Sequence, residues 1–500
     1  MFVQFIRLFK QPAFNKFSLG AFLKIGGLIA AAIPSLLLME IEIPSVVTLF
    51  ASFIAIYATW DAYTMLDASW FIESYYTGGF IWLPFFSFDI FYFCDSLSIV
   101  FLLLTHFLLL ICFLLIVPTL SVDPKAYLNV FSLLLLWVQL FITFTAGDLF
   151  LFFIAFESLM IPLLLLIGIW GSPNRVQANN YLYFYTAFGA AAMLISILYL
   201  WLVFNTTNIM YLSFVTQFYL SWAEKILLFF GFFLSFAIKT PLVPFHIWLP
   251  KAHVEAPTAG SVLLAGLLLK VGLYGLLRIC IGLFPDVATW VAPLISTFAV
   301  VGIIYASLIT LRQIDMKRII AYSSVSHMSL ALTSVITGQS LGVSAGVYLA
   351  LSHGIISSSL FILVGALYAR FHNRLVSYYG GLITWMPYFG ACFFFFSLAN
   401  MAFPLTSGFI GEFLCLTAIL SQNTLLGVLA ASSMLFSTVY SILLFNRVFS
   451  GVLKLRLVVS AHTNSKSLDL TSLEALILVP CIFITVYFGI FPSSLLLEYA

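Results

Sequence analysis

Six ionisable side chains stand where long apolar runs leave them little water. Glu157 lies in FFIAFESLMIP, Lys239 in LSFAIKTPLVPFHIWLP, Lys270 in LLAGLLLKVGLYGLLR and Glu412 in PLTSGFIGEFLCL. His327 (SSVSHMSL) and His353 (ALSHGIISSSLF) each sit among serines. A charge at the centre of a membrane-spanning helix costs roughly 2.5–3.5 kcal/mol even on the lenient insertion scale, so four unpaired charges would cost on the order of 10 kcal/mol. Mutual pairing or water must compensate. Carboxylates, ammonium groups and imidazoles in apolar surroundings are also the parts of a proton relay. Imidazole accepts and releases a proton near neutral pH, and serines hold linking water. Ion pairs that merely glue helices are the plainer reading, but glue needs fewer charges and polar residues suffice for it.

The flanking residues sharpen the case for a relay. Lys239 is about 13 residues into its run, about 20 Å along a helix and near mid-membrane. Pro241 and Pro244 follow at once, each removing a backbone donor. The break frees carbonyls just beyond Lys239, where a cation is favoured. Glu412 has the opposite arrangement: Pro404 and Thr406-Ser407-Gly408 interrupt the run, and an acid near the start of the half-helix that follows is also favoured. Two broken helices in corresponding halves of a chain mark a transport site in repeat-built transporters.

Other residues are weaker candidates. His246 and His253 end one run and begin the next loop, with Lys251 and Glu255; they fit a loop ion-pair network as well as a supporting role. These histidines are seven positions apart with Pro250 between them, which argues against a metal site. His106 reads as structural. Asp148 is placed to cap a helix. Asn205-Thr206-Thr207 matches a glycosylation sequon but sits in a short loop at the membrane and reads as chance. Lys317 and Arg318 mark a positive side, although Lys317 lies at the foot of the His327 helix. The six cysteines form no CxxC and read as buried small hydrophobes. No dinucleotide or phosphate-binding glycine motif occurs. We therefore expect no metal and no cofactor bound by this chain.

The elements that must position these residues follow from composition. Of 500 residues 63% are hydrophobic and 8% charged, and the net charge is +2. Mean hydropathy is +1.15. Typical soluble domains carry about 25% charged residues, so soluble, disordered and disulfide-scaffold classes are excluded, and the charge suggests no nucleic-acid partner. The runs divide into fourteen spans: 21–39, 43–60, 92–117, 126–146, 148–169, 180–204, 226–249, 258–281, 288–311, 317–337, 341–369, 387–421, 424–449 and 471–493. The expected architecture is an all-α polytopic membrane protein with spans 7 and 12 broken. Its expected organisation is an N-terminal part (1–91), span 3 (92–125), a first set of five spans (126–281), a second (288–449), and a basic loop with span 14 (450–500). Phe2, Phe5, Ile6 and Phe9 recur at helical spacing before Pro12 and suggest a short interfacial helix; a transit peptide or signal peptide fits less well. Loops on the N-terminal side hold five Lys or Arg, counting Lys225 and Arg278, against twelve on the other. The positive side faces the compartment of synthesis, so both termini should face away from it.

At this point the residues suggest a family. KTPLVPFHIWLPKAHVEAPTAGSVLLAGLLLKVGLYGLLR (239–278) closely resembles the hallmark segment of the subunit 4 family of respiratory NADH:ubiquinone oxidoreductase, complex I, within a wider antiporter-like superfamily. FFIAFESLMIPLLLLIGIWG, YSSVSHMSL, LSHGIISSSLF and GFIGEF resemble its other motifs, and the likeness covers roughly 92–450. A lysine in span 8 with an acid in span 12 looks like subunit 4; subunit 5 would be expected to carry a lysine in span 12. The Phe-rich composition is similar to that of an AT-biased mitochondrial gene.

The resemblance implies a proton-translocating subunit of a membrane arm in the mitochondrial inner membrane, its termini on the intermembrane-space side. It implies fourteen helices with two inverted five-helix repeats (spans 4–8 and 9–13). Glu157 and Lys239 match the family's charged pair, Lys270 its central lysine, His327 and His353 the linking histidines, and Glu412 the outlet acid. His246, His253, Glu255, Arg278 and Lys317 are possible supporting residues; Pro241, Pro244, Pro404 and Gly408 are the expected helix breaks. NADH, FMN, iron–sulfur clusters and ubiquinone would belong to partner subunits. Neighbouring antiporter-like subunits and lipids are the expected partners. The rivals are a Na⁺/H⁺ antiporter subunit of the same superfamily, a membrane enzyme acting on lipid or quinone, and a non-pumping scaffold.

Overall fold

The computed structural model describes residues 80–83, 88–90, 92, 94–120, 123–454 and 469–496. The expected interfacial helix, spans 1 and 2, most of the loop at 61–91 and most of the basic loop lie outside the described residues. A short antiparallel pair, β1 (Phe80–Leu83) and β2 (Phe88–Ile90), precedes the helices. Among the described residues, every segment long and apolar enough to cross a membrane is helical.

The first run begins with α1 (Ser96–Leu120), α2 (Ala126–Thr145), α3 (Leu149–Trp170) and α4 (Arg175–Phe204). α5 (Ile209–Tyr219) follows as a short helix, then α6 (Trp222–Lys239), α7 (Trp248–Glu255) and α8 (Thr258–Ile281). Next come α9 (Pro285–Arg312), α10 (Met316–Ile336) and α11 (Ser340–Phe371). α12 (Pro387–Asn400), α13 (Ser407–Gln422), α14 (Thr424–Phe449) and α15 (Ser472–Ile490) complete the order. Ten helices among the described residues are long and apolar enough to cross a membrane. α6 with α7, and α12 with α13, make two more crossings, each interrupted.

Local chemistry sets the limits. Asp148 caps α3, accepting from the amides of Phe150 at 2.7 Å and Leu151 at 3.2 Å. Ser221 with Glu224 starts α6 and Thr471 with Glu474 starts α15, both as capping boxes. α4 ends on Asn205 in the left-handed region, φ 53°, where Asn is tolerated. Thr207 of the sequon is buried and donates to Asp148 Oδ2 at 2.5 Å, which ties that loop into the cap.

Burial separates inner helices from outer ones. α11 is buried throughout its most apolar window and α8 and α10 over 94% of theirs, whereas α15 is buried over 22% and α4 and α14 over 33%. The outer faces meet lipid or neighbouring chains. α8 packs on α11, α10 on α9 and α11, and α13 on α11. The helices that carry the buried charges are thus chiefly the inner ones. Each interrupted crossing is the fourth in a run of five, counted from α2 and from α9.

The structure corrects several expectations. Helix α5 was not foreseen. Its apolar residues Ile209, Leu212 and Val215 are buried, as is Thr216, but it is too short to cross. Lys225 and Arg278 lie within helices rather than loops, Lys225 in α6 and Arg278 in the last turn of α8. Gly408 is not at the break: it is the second residue of α13, and a Cβ there would lie 2.6 Å from the Ala399 carbonyl oxygen. Its role is close packing of the two half-helices. Helix α8 is not uniform either, since π turns occupy Leu264–Leu268 and Leu276–Ile281, on both sides of Lys270.

Candidate functional site

Lys239 is the last residue of α6, where free carbonyls favour a cation. Its Nζ donates to the Phe156 carbonyl oxygen at 2.7 Å and lies 3.0 Å from the centre of the Phe156 ring. Glu157, on the next residue of α3, places Oε1 3.9 Å from Nζ, a contact beyond hydrogen-bond range. The pair is asymmetric: the Lys239 side chain is 1% exposed and that of Glu157 is 23% exposed. Glu157 reaches the outer surface of the helix layer, while Lys239 is held inside by backbone and ring as well as by charge.

Lys270 is fully buried in α8 between the two π turns. A π turn shifts the hydrogen-bond ladder by one residue and leaves a carbonyl for other donors. The Ala265 carbonyl, inside the first of them, accepts from Lys270 Nζ at 2.6 Å. The same Nζ lies 3.0 Å from His353 Nδ1 on α11. The Thr240 backbone lies against Gly272, where a Cβ would come within 2.8 Å of the Thr240 amide. Lys239 and Lys270 therefore stand on touching elements. No hydrogen bond or ion pair joins them among the described residues.

His353 faces His327 of α10 with ring centres 5.5 Å apart. His327 Nδ1 is 2.9 Å from Glu412 Oε1, and its Nε2 is 3.4 Å from the Tyr440 hydroxyl on α14. Glu412 lies in the second turn of α13, not the first, so the helix dipole, which fades within one turn, contributes less than expected. His327 is its main partner. A cavity of about 10 Å³, room for about one water, lies among His327, Ser352, His353, Asn400 and Glu412. Two atoms of this lining, His353 Nε2 and Glu412 Oε2, have no hydrogen-bond partner among the described residues. Polar atoms of this kind are what buried water serves.

Lys270, His353, His327 and Glu412 thus form one line, and Glu157 with Lys239 a second group beside it. Of the supporting candidates, His253 lies within electrostatic reach of Lys270 and His353, and the others lie farther off. His246 sits in the break of the first interrupted crossing, its ring 5.5 Å from that of Tyr305. His253 stacks on Phe361 of α11 at 4.7 Å. Glu255 Oε2 accepts the Asn174 amide at 3.3 Å, Lys317 Nζ donates to the Ala256 carbonyl at 2.8 Å, and Arg278 pairs with Asp95 at 2.6 Å. These three tie elements together at the two ends of the bundle. Glu255 also lines a second cavity of about 100 Å³ with Asn174, Gln177, Lys251 and Arg318. Among the described residues no group of three His, Cys, Asp or Glu side chains is placed to hold a metal ion.

Tyr440 and Asn400 escaped the sequence reading. A signal existed: Ser433, Ser437, Tyr440 and Ser441 recur at helical spacing in α14, and all four are buried. A polar stripe on an apolar helix marks the face turned inward.

A family model described as "NADH:quinone oxidoreductase/Mrp antiporter, TM" matches residues 146–441. The chain is 44% identical over 420 residues to the NADH-ubiquinone oxidoreductase chain 4 of Chondrus crispus, covering 84% of this chain and 83% of that one. It is 37% identical over 461 residues to the NADH-quinone oxidoreductase subunit M of Rickettsia conorii, covering 92% and 90%. Among solved structures, a chain of respiratory complex I from Thermus thermophilus with bound NADH superposes with a TM-score of 0.82 at 25% identity, covering 94% and 96%. A chain of the Mrp complex from a Dietzia species superposes at 0.81 with 20% identity, covering 96% of each, a likeness of fold alone.

Proposed function

The chain belongs to the NADH:quinone oxidoreductase/Mrp antiporter membrane-subunit family, and from that premise we propose how its residues move protons. It is an antiporter-like, proton-translocating subunit of the complex I type. The relay runs from Lys270 through His353 and His327 to Glu412, and the Glu157–Lys239 pair controls it. The observation that carries this reading is the line of contacts at 3.0 Å, across the 5.5 Å ring-to-ring gap, and at 2.9 Å.

The mechanism is electrostatic. An opposite charge nearby favours the charged form of an ammonium group. Glu157 supplies that charge to Lys239 from a partly exposed position, within reach of a change in a neighbouring chain. When Glu157 moves away, Lys239 is left without its counter-charge in a low-dielectric interior and passes its proton to water between it and Lys270. The energy comes from partner chains that oxidise NADH and reduce ubiquinone; FMN and iron–sulfur clusters belong to them, not to this chain. Five crossings being an odd number, the run from α9 enters from the side opposite to the run from α2, which supports reading the two as inverted repeats. The chain 4 relatives and the amino-acid bias support a mitochondrial inner membrane, and the excess of Lys and Arg in the loops opposite the N-terminal side supports both termini on the intermembrane-space side.

The test is NADH-driven proton uptake in sealed membranes with Glu157→Gln, assembly being checked on a native gel. The complex should assemble while oxidation and uptake both fall. Uptake equal to the unaltered chain's in an assembled complex would sink the proposal. The fold shared with an Mrp chain favours one second reading, Na⁺/H⁺ exchange. That reading requires Na⁺-dependent proton flux without NADH, and loss of this flux alone in the variant.

A further inference from the structure

Tyr440 has no place in the relay as described, yet it is 3% exposed and its hydroxyl touches the relay at one atom, His327 Nε2, at 3.4 Å. We propose that Tyr440 is a positioning residue, whose hydroxyl holds His327 against Glu412 and turned from His353, and whose release lets His327 take a proton from His353. The proposal rests on the relay reading above.

The argument starts from counting nitrogens. Lys270 Nζ, as ammonium, donates to His353 Nδ1, which leaves the proton of neutral His353 on Nε2. That Nε2 has no protein partner. His327 has both nitrogens engaged: Nδ1 faces Glu412 at 2.9 Å and Nε2 faces Tyr440. A phenol donating to Nε2 puts the His327 ring proton on Nδ1, aimed at the carboxylate. The two imidazoles, tilted 42° to one another, share no hydrogen bond among the described residues. The gap in the line from Lys270 to Glu412 lies there, and the group holding His327 Nε2 on its far side is Tyr440.

At 3.4 Å the Tyr440 bond is loose, and the cavity of about 10 Å³ beside the rings has room for about one water. Glu412 on α13, His353 on α11 and Tyr440 on α14 are the ionisable groups facing His327, with Ser323, Ser326 and Asn400 around the phenol. Once His327 turns, Lys270 Nζ hands a proton to His353 Nδ1 as the His353 Nε2 proton passes to the His327 Nε2 lone pair and the His327 Nδ1 proton passes to Glu412. One proton enters and one leaves. His327 ends neutral with its proton on Nε2, a donor that the Tyr440 oxygen can then accept.

The test is NADH-driven proton uptake by the whole complex in sealed membranes, with assembly checked on a native gel. Four variants are compared with the unaltered chain: Tyr440→Phe, His327→Gln, the two combined, and Glu412→Gln. Losing one neutral hydrogen bond should lower uptake about two- to tenfold in assembled Tyr440→Phe complex. In the His327→Gln background Tyr440→Phe should add nothing, since it acts through that ring. Unchanged uptake in Tyr440→Phe beside impaired uptake in Glu412→Gln overturns this inference and leaves the relay standing. Unchanged uptake in both variants overturns the relay and the inference with it. Failure of Tyr440→Phe to assemble, or an equal further loss in the His327→Gln background, makes the hydroxyl structural and overturns the inference.

Discussion

Lys270 Nζ and His353 Nδ1 lie 3.0 Å apart, and this contact joins the two runs of five crossings. Lys270 is on α8, the last crossing of the first run; His353 is on α11, the third of the second. Each run also holds an acid–base pair between its second and fourth crossings. In the first the acid, Glu157, is on α3 and the base, Lys239, ends the half-helix α6. In the second the order is exchanged, with the base His327 on α10 and the acid Glu412 on the half-helix α13. In the relay proposed above, a half ending in lysine meets a half ending in an acid through the imidazoles of His353 and His327.

Removing the join should stop transport without dissolving the bundle. Lys270→Met fills the space with an unbranched apolar chain but leaves the Ala265 carbonyl and His353 Nδ1 without their donor. Each unpaired buried group costs about 1–3 kcal/mol, which a large bundle tolerates. We expect assembled complex with proton uptake lowered roughly tenfold or more. Uptake within a factor of about two of the unaltered chain would remove Lys270 from the path.

Gly272 tests how closely the break must approach α8. A Cβ there would lie 2.8 Å from both the Thr240 amide and its Cγ2, and 3.1 Å from the Lys239 carbonyl carbon. Backbone cannot yield as a flexible side chain does, so Gly272→Ala should cost about 1–3 kcal/mol as overpacking and displace the end of α6. Uptake should fall more steeply than the amount of complex on a native gel. Proportional loss of both would mean that Lys239 tolerates the shift.

Asp148 bears on stability rather than transport. Asp148→Ala removes the α3 cap, worth about 1 kcal/mol, and the acceptor of the Thr207 hydroxyl. Thermal inactivation of the membranes should come several degrees sooner while protons taken up per NADH stay constant, whereas Asp148→Asn, which still caps, should keep most of the stability. A changed proton ratio in Asp148→Ala would show that this end of α3 does more than hold the helix.

Arg370 grips Glu474 with two hydrogen bonds, at 2.8 Å and 2.6 Å, and so holds the outer helix α15 to α11. Lysine carries the charge but not the planar fork. Arg370→Lys should loosen α15, read as faster limited proteolysis near 469–472, with a smaller effect on uptake. Equal proteolysis rates would show that packing alone holds α15.

The membrane class, the helical content, the crossings among the described residues, and the residues that stand out as costly were legible in the sequence. The reason is local: a run of about 20 apolar residues has one stable form in a bilayer, and a charge inside it is visible as an exception. The proline-marked breaks belong here too, since Pro241, Pro244 and Pro404 act on their own backbone. What sits beside what was decided by tertiary structure alone. Glu412 was placed by a dipole argument and is held instead by His327 of another crossing. Lys239 was expected to answer chiefly to Glu157 and is gripped by the carbonyl and ring of Phe156. Gly408 read as a break and proved to be a contact between half-helices. The π turns around Lys270 and the inward turn of Tyr440 depend on how α8 and α14 meet their neighbours. Hydropathy records whether a segment can enter a membrane; how deeply it is buried and which atom a buried polar group faces depend on rotation and register between helices distant in the chain, and only their packing fixes those.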